Sequence, residues 1–135
     1  MDNKAPIKRL FAEVLNQGRL DLLDELIGEA YTEPNPVPGQ LPGAPGIKAK
    51  LQALRRAFPD LRFILEDLIG EGERVAARYH WEGTQQGEFM GLQPTGKKVS
   101  VRGMDFYRLE NGRIVEHWDN VDEIGLLRQL GAIAS

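Results

Sequence analysis

The chain has 135 residues, 41% of them hydrophobic, and no cysteine. That is enough for one ordinary domain, residues 1–135, with a core of its own, and it excludes disulfides and thiolate metal sites. A formal charge of −3 with no basic stripe, no signal peptide and no apolar run long enough to span a bilayer predicts a cytoplasmic protein that binds neither nucleic acid nor membrane.

Ile7, Leu10, Phe11, Val14 and Leu15 recur at helical spacing. Pro6 suits a first turn, and Asn16-Gln17-Gly18 marks the end. Asp21 is placed to cap a second, shorter helix with Leu22, Leu23, Leu26 and Ile27 on its stripe and Gly28 at its close. Tyr31 to Pro45 carries five prolines, so it reads as a loop, too long for a simple connector and suited to a lid or pocket wall. A third helix is predicted from Ile47 to Phe58, stopped by Pro59-Asp60.

The rest of the chain is mostly strand. One strand begins at Leu61, and a turn at Gly70–Arg74 leads to Val75–Trp81, where Val75, Ala77, Tyr79 and Trp81 alternate inward and His80 points away. Gly83–Gly96 is a loop. Two β-rich runs then flank Glu110-Asn111-Gly112, a hairpin signal. A two-residue Asn-Gly loop would pair Asp105 with Trp118. A three-residue loop with Gly112 as a left-handed bulge residue would pair Asp105 with His117 and Gly103 with Asp119. The second register is preferred. It puts Val99, Val101, Asp105, Tyr107, Val115, His117 and Asp119 on one face. Two carboxylates and an imidazole on an apolar face suit a ligand pocket. The other face carries Arg102, Phe106, Arg108, Ile114 and Trp118, a composition that suits a homodimer interface. Asp122–Leu130 closes the chain as a short helix or turn, with Ile124, Leu127 and Leu130 apolar. Helices first and hairpin-connected strands after them predict an α+β layer: a curved antiparallel sheet with helices on one face.

No phosphate-binding or dinucleotide glycine loop is present, and no nucleophile elbow. His80 and His117 lack metal-ligand spacing, so no metal is expected. Asp105 is disfavoured in a strand by propensity and so invites either a chemical role or a structural hydrogen bond to His117 or Tyr107. Tyr107 and Trp81 read as pocket wall, and Asp119 as a pocket residue or as a cap at a strand end.

Several phrases together carry a family resemblance: Leu15–Asp21, Ala57-Phe58-Pro59-Asp60-Leu61, the loop Gly87–Gly96, and above all Phe106–Asp119 with Gly125–Gly131 after it. The chain resembles the SnoaL-like polyketide cyclases, within the nuclear transport factor 2-like fold. The resemblance implies a cone-shaped, curved antiparallel or mixed sheet, with the three N-terminal helices on its concave face enclosing a pocket. In those cyclases one carboxylate near the end of the last strand is general acid/base for an intramolecular aldol closure, and Asp119 occupies that place. The preceding strand carries Asp105 where the compared cyclases carry a histidine. Asp105-Phe106-Tyr107-Arg108-Leu109 is also similar to a strand of the ketosteroid isomerases. There such an aspartate donates to the developing oxyanion, and the general base precedes a proline after the second helix, as Glu33-Pro34 does here. The isomerases' partner tyrosine on the first helix is replaced by Phe11.

The expected function is proton transfer α to a carbonyl of an apolar small molecule, of cyclase or isomerase type and without a cofactor. Asp119 is the acid/base, Asp105 with His117 stabilises the enolate oxygen, and Tyr107, Trp81, Glu33 and Phe11 bind substrate. Two alternatives stand beside it: a non-catalytic module holding an apolar ligand or partner, and an isomerase using Glu33 as base.

Overall fold

The structure, a computed structural model, describes residues 2–34, 36 and 38–134. The first apolar stripe builds α1, Lys4–Arg9, which widens into a π-helical segment, Leu10–Asn16, before Gly18 turns the chain with φ +73°. Ile7, Leu10, Phe11 and Val14 are buried. Asn16 fastens the segment to the sheet in both directions, donating to the Phe63 carbonyl at 2.9 Å and accepting from the Phe63 N–H at 2.6 Å. These are backbone groups that an edge strand would otherwise leave unpaired.

The second stripe forms a 3₁₀ turn, Leu20–Leu22, and a single α-turn, α2, Leu23–Leu26. Asp21 lies inside the 3₁₀ turn and makes no capping hydrogen bond among the described residues. The predicted helix stops before Ile27, because Ile27–Thr32 is a strand, β1, that periodicity did not indicate. Ile27 fits a helical stripe, but its backbone pairs in parallel with Ile114. The Arg113 guanidinium donates to the carbonyls of Asp24, Glu25 and Ile27, which satisfies the helix end. In the proline-rich stretch after β1, Asn35 and Val37 lie outside the described residues. α3, Gly43–Ala57, starts before the predicted Ile47, since Pro45 is tolerated in a first turn.

The remaining strands are β2, Arg62–Glu71, β3, Arg74–Thr84, β4, Lys98–Glu110, and β5, Arg113–Val121. Their order is β1-β5-β4-β3-β2, with every neighbouring pair antiparallel except β1 and β5. Alternation sends Val75, Ala77, Tyr79 and Trp81 from β3, and Val99, Val101, Asp105, Tyr107 and Leu109 from β4, into the face the helices cover.

The β4–β5 hairpin differs from the predicted one in its turn. Asn111 and Gly112 both have positive φ, +52° and +76°, and Glu110 pairs with Arg113: a two-residue loop of the type whose twist matches a hairpin. The irregularity lies farther along, where Leu109 pairs with Ile114 but Arg108 pairs with Glu116, leaving Val115 as the extra residue. Gly28 of β1 meets Val115 there; a Cβ on Gly28 would stand 2.9 Å from Val115 Cγ1. Beyond the bulge Tyr107 pairs with His117, Asp105 with Asp119 and Gly103 with Val121. The predicted partners are therefore each off by two residues, while the shared face of Asp105, Tyr107, His117 and Asp119 stands. Ile114 and Val115 exchange places: Ile114 joins the concave core.

β4 extends past the end of β5. α4, Glu123–Leu130, covers that stretch, with Gln129 accepting from the Ser100 N–H at 2.7 Å and donating to the Ser100 carbonyl at 2.8 Å. Asp122 caps it by accepting from the Gly125 N–H. Its buried stripe is Leu126 and Leu130, while Ile124, one of the apolar residues noted in the sequence, is exposed.

Candidate active site

Register decides which side chains meet. Asp105 is buried at the middle of the sheet and accepts three hydrogen bonds. The Tyr79 hydroxyl reaches Oδ1 at 2.9 Å, the Tyr107 hydroxyl reaches Oδ2 at 3.1 Å, and His117 Nε2 lies 2.9 Å from Oδ2. With the carboxylate as acceptor, the imidazole proton sits on Nε2. The His117 ring stacks on Tyr107, centroids 4.6 Å apart and 2° from parallel, as cross-strand partners allow. Burial pushes the Tyr79 and Tyr107 phenols well above their ordinary range, and the charge of Asp105 pushes them further.

Tyr79 can reach Asp105 because Gly103, its cross-strand partner, has no side chain. A Cβ at Gly103 would lie 2.5 Å from both Cζ and the hydroxyl oxygen of Tyr79. A glycine inside an otherwise regular strand is the sequence signal for such a close approach.

Asp119 has a different environment. Its ion-pair partner among the described residues is Lys50 of α3, with Nζ 3.6 Å from Oδ2. The same ammonium stands 3.6 Å from Oε1 of Glu33, whose side chain is only 7% exposed. Glu33 also accepts from Gln40 Nε2 at 2.8 Å and from the Tyr31 hydroxyl at 3.5 Å. Burial, and then the Glu33 charge, raises the Tyr31 phenol. Lys50 and Tyr31 had no place in the sequence-based expectation. Lys50 lies on a helix whose apolar stripe was the only readable feature, and only the packing of α3 across the cavity brings it to Asp119.

Asp105, Tyr107, His117, Asp119, Trp81 and Glu33 line one cavity of about 150 Å³ between the sheet and the helices, together with Tyr79, Lys50 and an apolar wall. Phe11, predicted to bind substrate, does not line it. It stands one layer back, edge-on to Phe63 and Tyr79 at centroid distances of 6.0 and 5.3 Å. His80 faces outward as predicted, between Glu66 and Glu82. No cluster of metal-ligating side chains occurs among the described residues.

A concave sheet roofed by helices, with paired carboxylates at the end of an apolar cavity, defines a small-molecule site. The family model of the SnoaL-like polyketide cyclases matches residues 5–130, and the chain belongs to that family. It is 29% identical to aklanonic acid methyl ester cyclase DnrD of Streptomyces peucetius, over 97% of this chain and 92% of that one. It is 32% identical to nogalonic acid methyl ester cyclase of Streptomyces nogalater, over 86% and 88%. Among solved structures it superposes on TsrD from Streptomyces laurentii with a TM-score of 0.86 at 33% identity, covering 96% of this chain and 98% of that one.

Proposed function

We propose that the protein closes a ring in an apolar substrate bearing at least two carbonyl groups, by an intramolecular aldol addition with Asp119 as general acid/base. The observation that carries this reading is the unequal state of two facing carboxylates. Asp105 accepts three hydrogen bonds from protein donors, whereas Asp119, a partly exposed residue of the cavity wall, has among the described residues a charge partner and no hydrogen-bond donor. Carboxylates set apart by their surroundings in this way take different roles.

The step balances without a cofactor. An Asp119 oxygen takes an α-proton; the C–H electron pair forms the enolate double bond, and the carbonyl π pair moves to oxygen. The α-carbon then attacks a second carbonyl of the same molecule. Asp119 returns its proton to the alkoxide so formed and is again a carboxylate. Asp105 fixes the tautomer and plane of His117, leaving Nδ1 of a cavity-lining ring as an acceptor for a substrate hydroxyl. Glu33, held by Gln40, Tyr31 and Lys50, anchors the proline-rich segment to the cavity wall rather than serving as base.

The test is α-carbon proton exchange in D2O, monitored by NMR, on a panel of aromatic ketones and β-keto esters. Replacing Asp119 by Asn is expected to slow exchange by about 10²–10⁴-fold, the usual weight of a general base. Equal rates in parent and Asp119→Asn would remove Asp119 from the mechanism. Undiminished ligand binding with no exchange by the parent would point to a binding module instead.

The reading includes a homodimer. The sheet's outer face presents Phe106 edge-on to Trp118, with exposed Met104 and Ile69 beside them, and apolar outer faces of this kind mark interaction surfaces. Sedimentation at monomer mass for the parent would discard it.

A further inference from the structure

Ring closure of the kind proposed above places negative charge on the enolate oxygen, and the donors nearest the buried carboxylate are already spent. Tyr79, Tyr107 and the Nε2–H of His117 all point at Asp105. Tyr31 is turned to Glu33. Two donors that line the cavity make no hydrogen bond among the described residues: the indole N–H of Trp81, which is neutral, and the ammonium of Lys50. We propose that Lys50 is the electrophile of this site, its ammonium binding the carbonyl oxygen of the substrate unit that Asp119 deprotonates.

Three features support it. The ammonium stands 3.6 Å from Asp119 Oδ2 and 3.6 Å from Glu33 Oε1, distances that hold it electrostatically without using its N–H groups. Lys50 and Asp119 both line the cavity and neither is fully buried, their side chains being 38% and 27% exposed. The α-carbon of a ketone and its oxygen are one bond removed from the same carbonyl carbon. A base and a cation a few ångströms apart therefore address the two atoms of one enolising unit, with the charge developing beside a fixed ammonium. Glu33 is then the group that keeps Lys50 in place when Asp119 becomes neutral on taking the proton. Lysine suits this as a compact point charge with rotatable donors.

The inference deepens the Asp119 reading, and its test keeps the two separable. One arm measures binding of 2-naphthol across its ionisation by absorbance and fluorescence, using a phenolate as a stable enolate mimic. The parent is expected to bind naphtholate in preference to naphthol, and Lys50→Met to lose that preference by about 10²-fold, the scale of one oxyanion donor. Lys50→Arg should keep part of it, and Asp119→Asn should strengthen it by removing a like charge. The second arm repeats the α-proton exchange. Lys50→Met is expected to lower kcat by about 10²–10³-fold with KM changed only a few-fold. A parent without preference for naphtholate, or a Lys50→Met variant that keeps it, overturns the assignment of Lys50 whatever Asp119 does. Normal exchange in Asp119→Asn overturns the acid/base reading and leaves the naphtholate arm to judge Lys50. Since Lys50 is partly exposed and donates no hydrogen bond among the described residues, Lys50→Met should melt within a few degrees of the parent, and Lys50→Arg serves if it does not.

Discussion

Gly103→Ala tests the central geometric claim, that an absent side chain in β4 lets Tyr79 reach Asp105. The added methyl carbon would sit 2.5 Å from Tyr79 Cζ and Oη and 2.9 Å from Cε2. Carbon atoms rest comfortably at about 3.5–4.0 Å, so the ring must retreat by about 1 Å. It has little room, because Phe11 packs at 5.3 Å and Phe63 at 5.6 Å, and Tyr79 is 4% exposed. Forcing such a contact costs about 1–3 kcal/mol. Losing the hydrogen bond to a carboxylate adds about 1.5–3 kcal/mol. A loss of about 3–4 kcal/mol would lower Tm by about 10 °C or more in a domain of this size. Thermal unfolding by circular dichroism measures it, and Tyr79→Phe completes a double-mutant cycle. The hydroxyl bond cannot be lost twice, so the double variant should be more stable than additivity predicts by about 1.5–3 kcal/mol. Gly103→Ala melting within about 2 °C of the parent, or strict additivity, would refute the coupling between Gly103 and the Tyr79–Asp105 bond.

Asp105→Val should destabilise the protein by about 3–5 kcal/mol in urea unfolding, because it strands two buried phenols and an imidazole N–H without an acceptor. All three tyrosines have phenols raised by burial. An absorbance titration should therefore show no tyrosinate near pH 10 in the native protein. With folded values above unfolded ones, their stabilisation is complete below 10 and lost as pH rises beyond it, so tyrosinate should appear together with unfolding. Asp60, on the exposed surface, is held below its ordinary 3.8 by the Thr84 N–H and then by the Thr84 hydroxyl. That contribution is present above 3.8 and lost as pH falls through the lower folded value, so Asp60→Ala should weaken the acid dependence of Tm below pH 4 while moving it little in strong acid. Gln85, fully buried, ties the loop after β3 to the Leu92 and Gly87 carbonyls and to Thr95. Gln85→Ala should make proteolytic nicking concentrate between Gly87 and Gly96, and a cleavage pattern unchanged from the parent would show that other contacts hold the loop.

Much of this molecule could be read from its residues. The period-two pattern of β3 and β4 assigned Tyr79, Trp81, Asp105 and Tyr107 to the buried face, because adjacent side chains in a strand must point to opposite sides. Asp105, His117 and Asp119 share a face whether Asp105 pairs with His117, as predicted, or with Asp119, as observed, so their grouping survived an error in the turn. The turn itself obeyed the Asn-Gly preference for positive φ at both positions. What displaced the pairing was the bulge at Val115, and nothing local to the hairpin specifies it. It lies where β1 meets β5, against the one residue of β1, Gly28, small enough to admit it.

β1 was illegible for a related reason. Leu22, Leu23, Leu26 and Ile27 satisfy a helical stripe as well as they satisfy a short turn entering a strand. The choice is made by hydrogen bonds to Ile114 and Arg113, far away in the chain. Lys50 and Glu33 share that dependence on distance: each is an ordinary charged residue in its own segment, and the packing of α3 over the sheet makes them neighbours of Asp119.

Residue pattern was therefore sufficient for the α+β class and the buried faces of β3 and β4, because periodicity and turn chemistry act over a few residues, and the resemblance of whole sequence phrases was sufficient for the family. Which aspartate is surrounded by donors, and which is left open beside a lysine, was settled by tertiary packing. That difference comes from register, from a missing Cβ at Gly103 and from a helix crossing the cavity, all of them contacts between segments that local propensity does not encode.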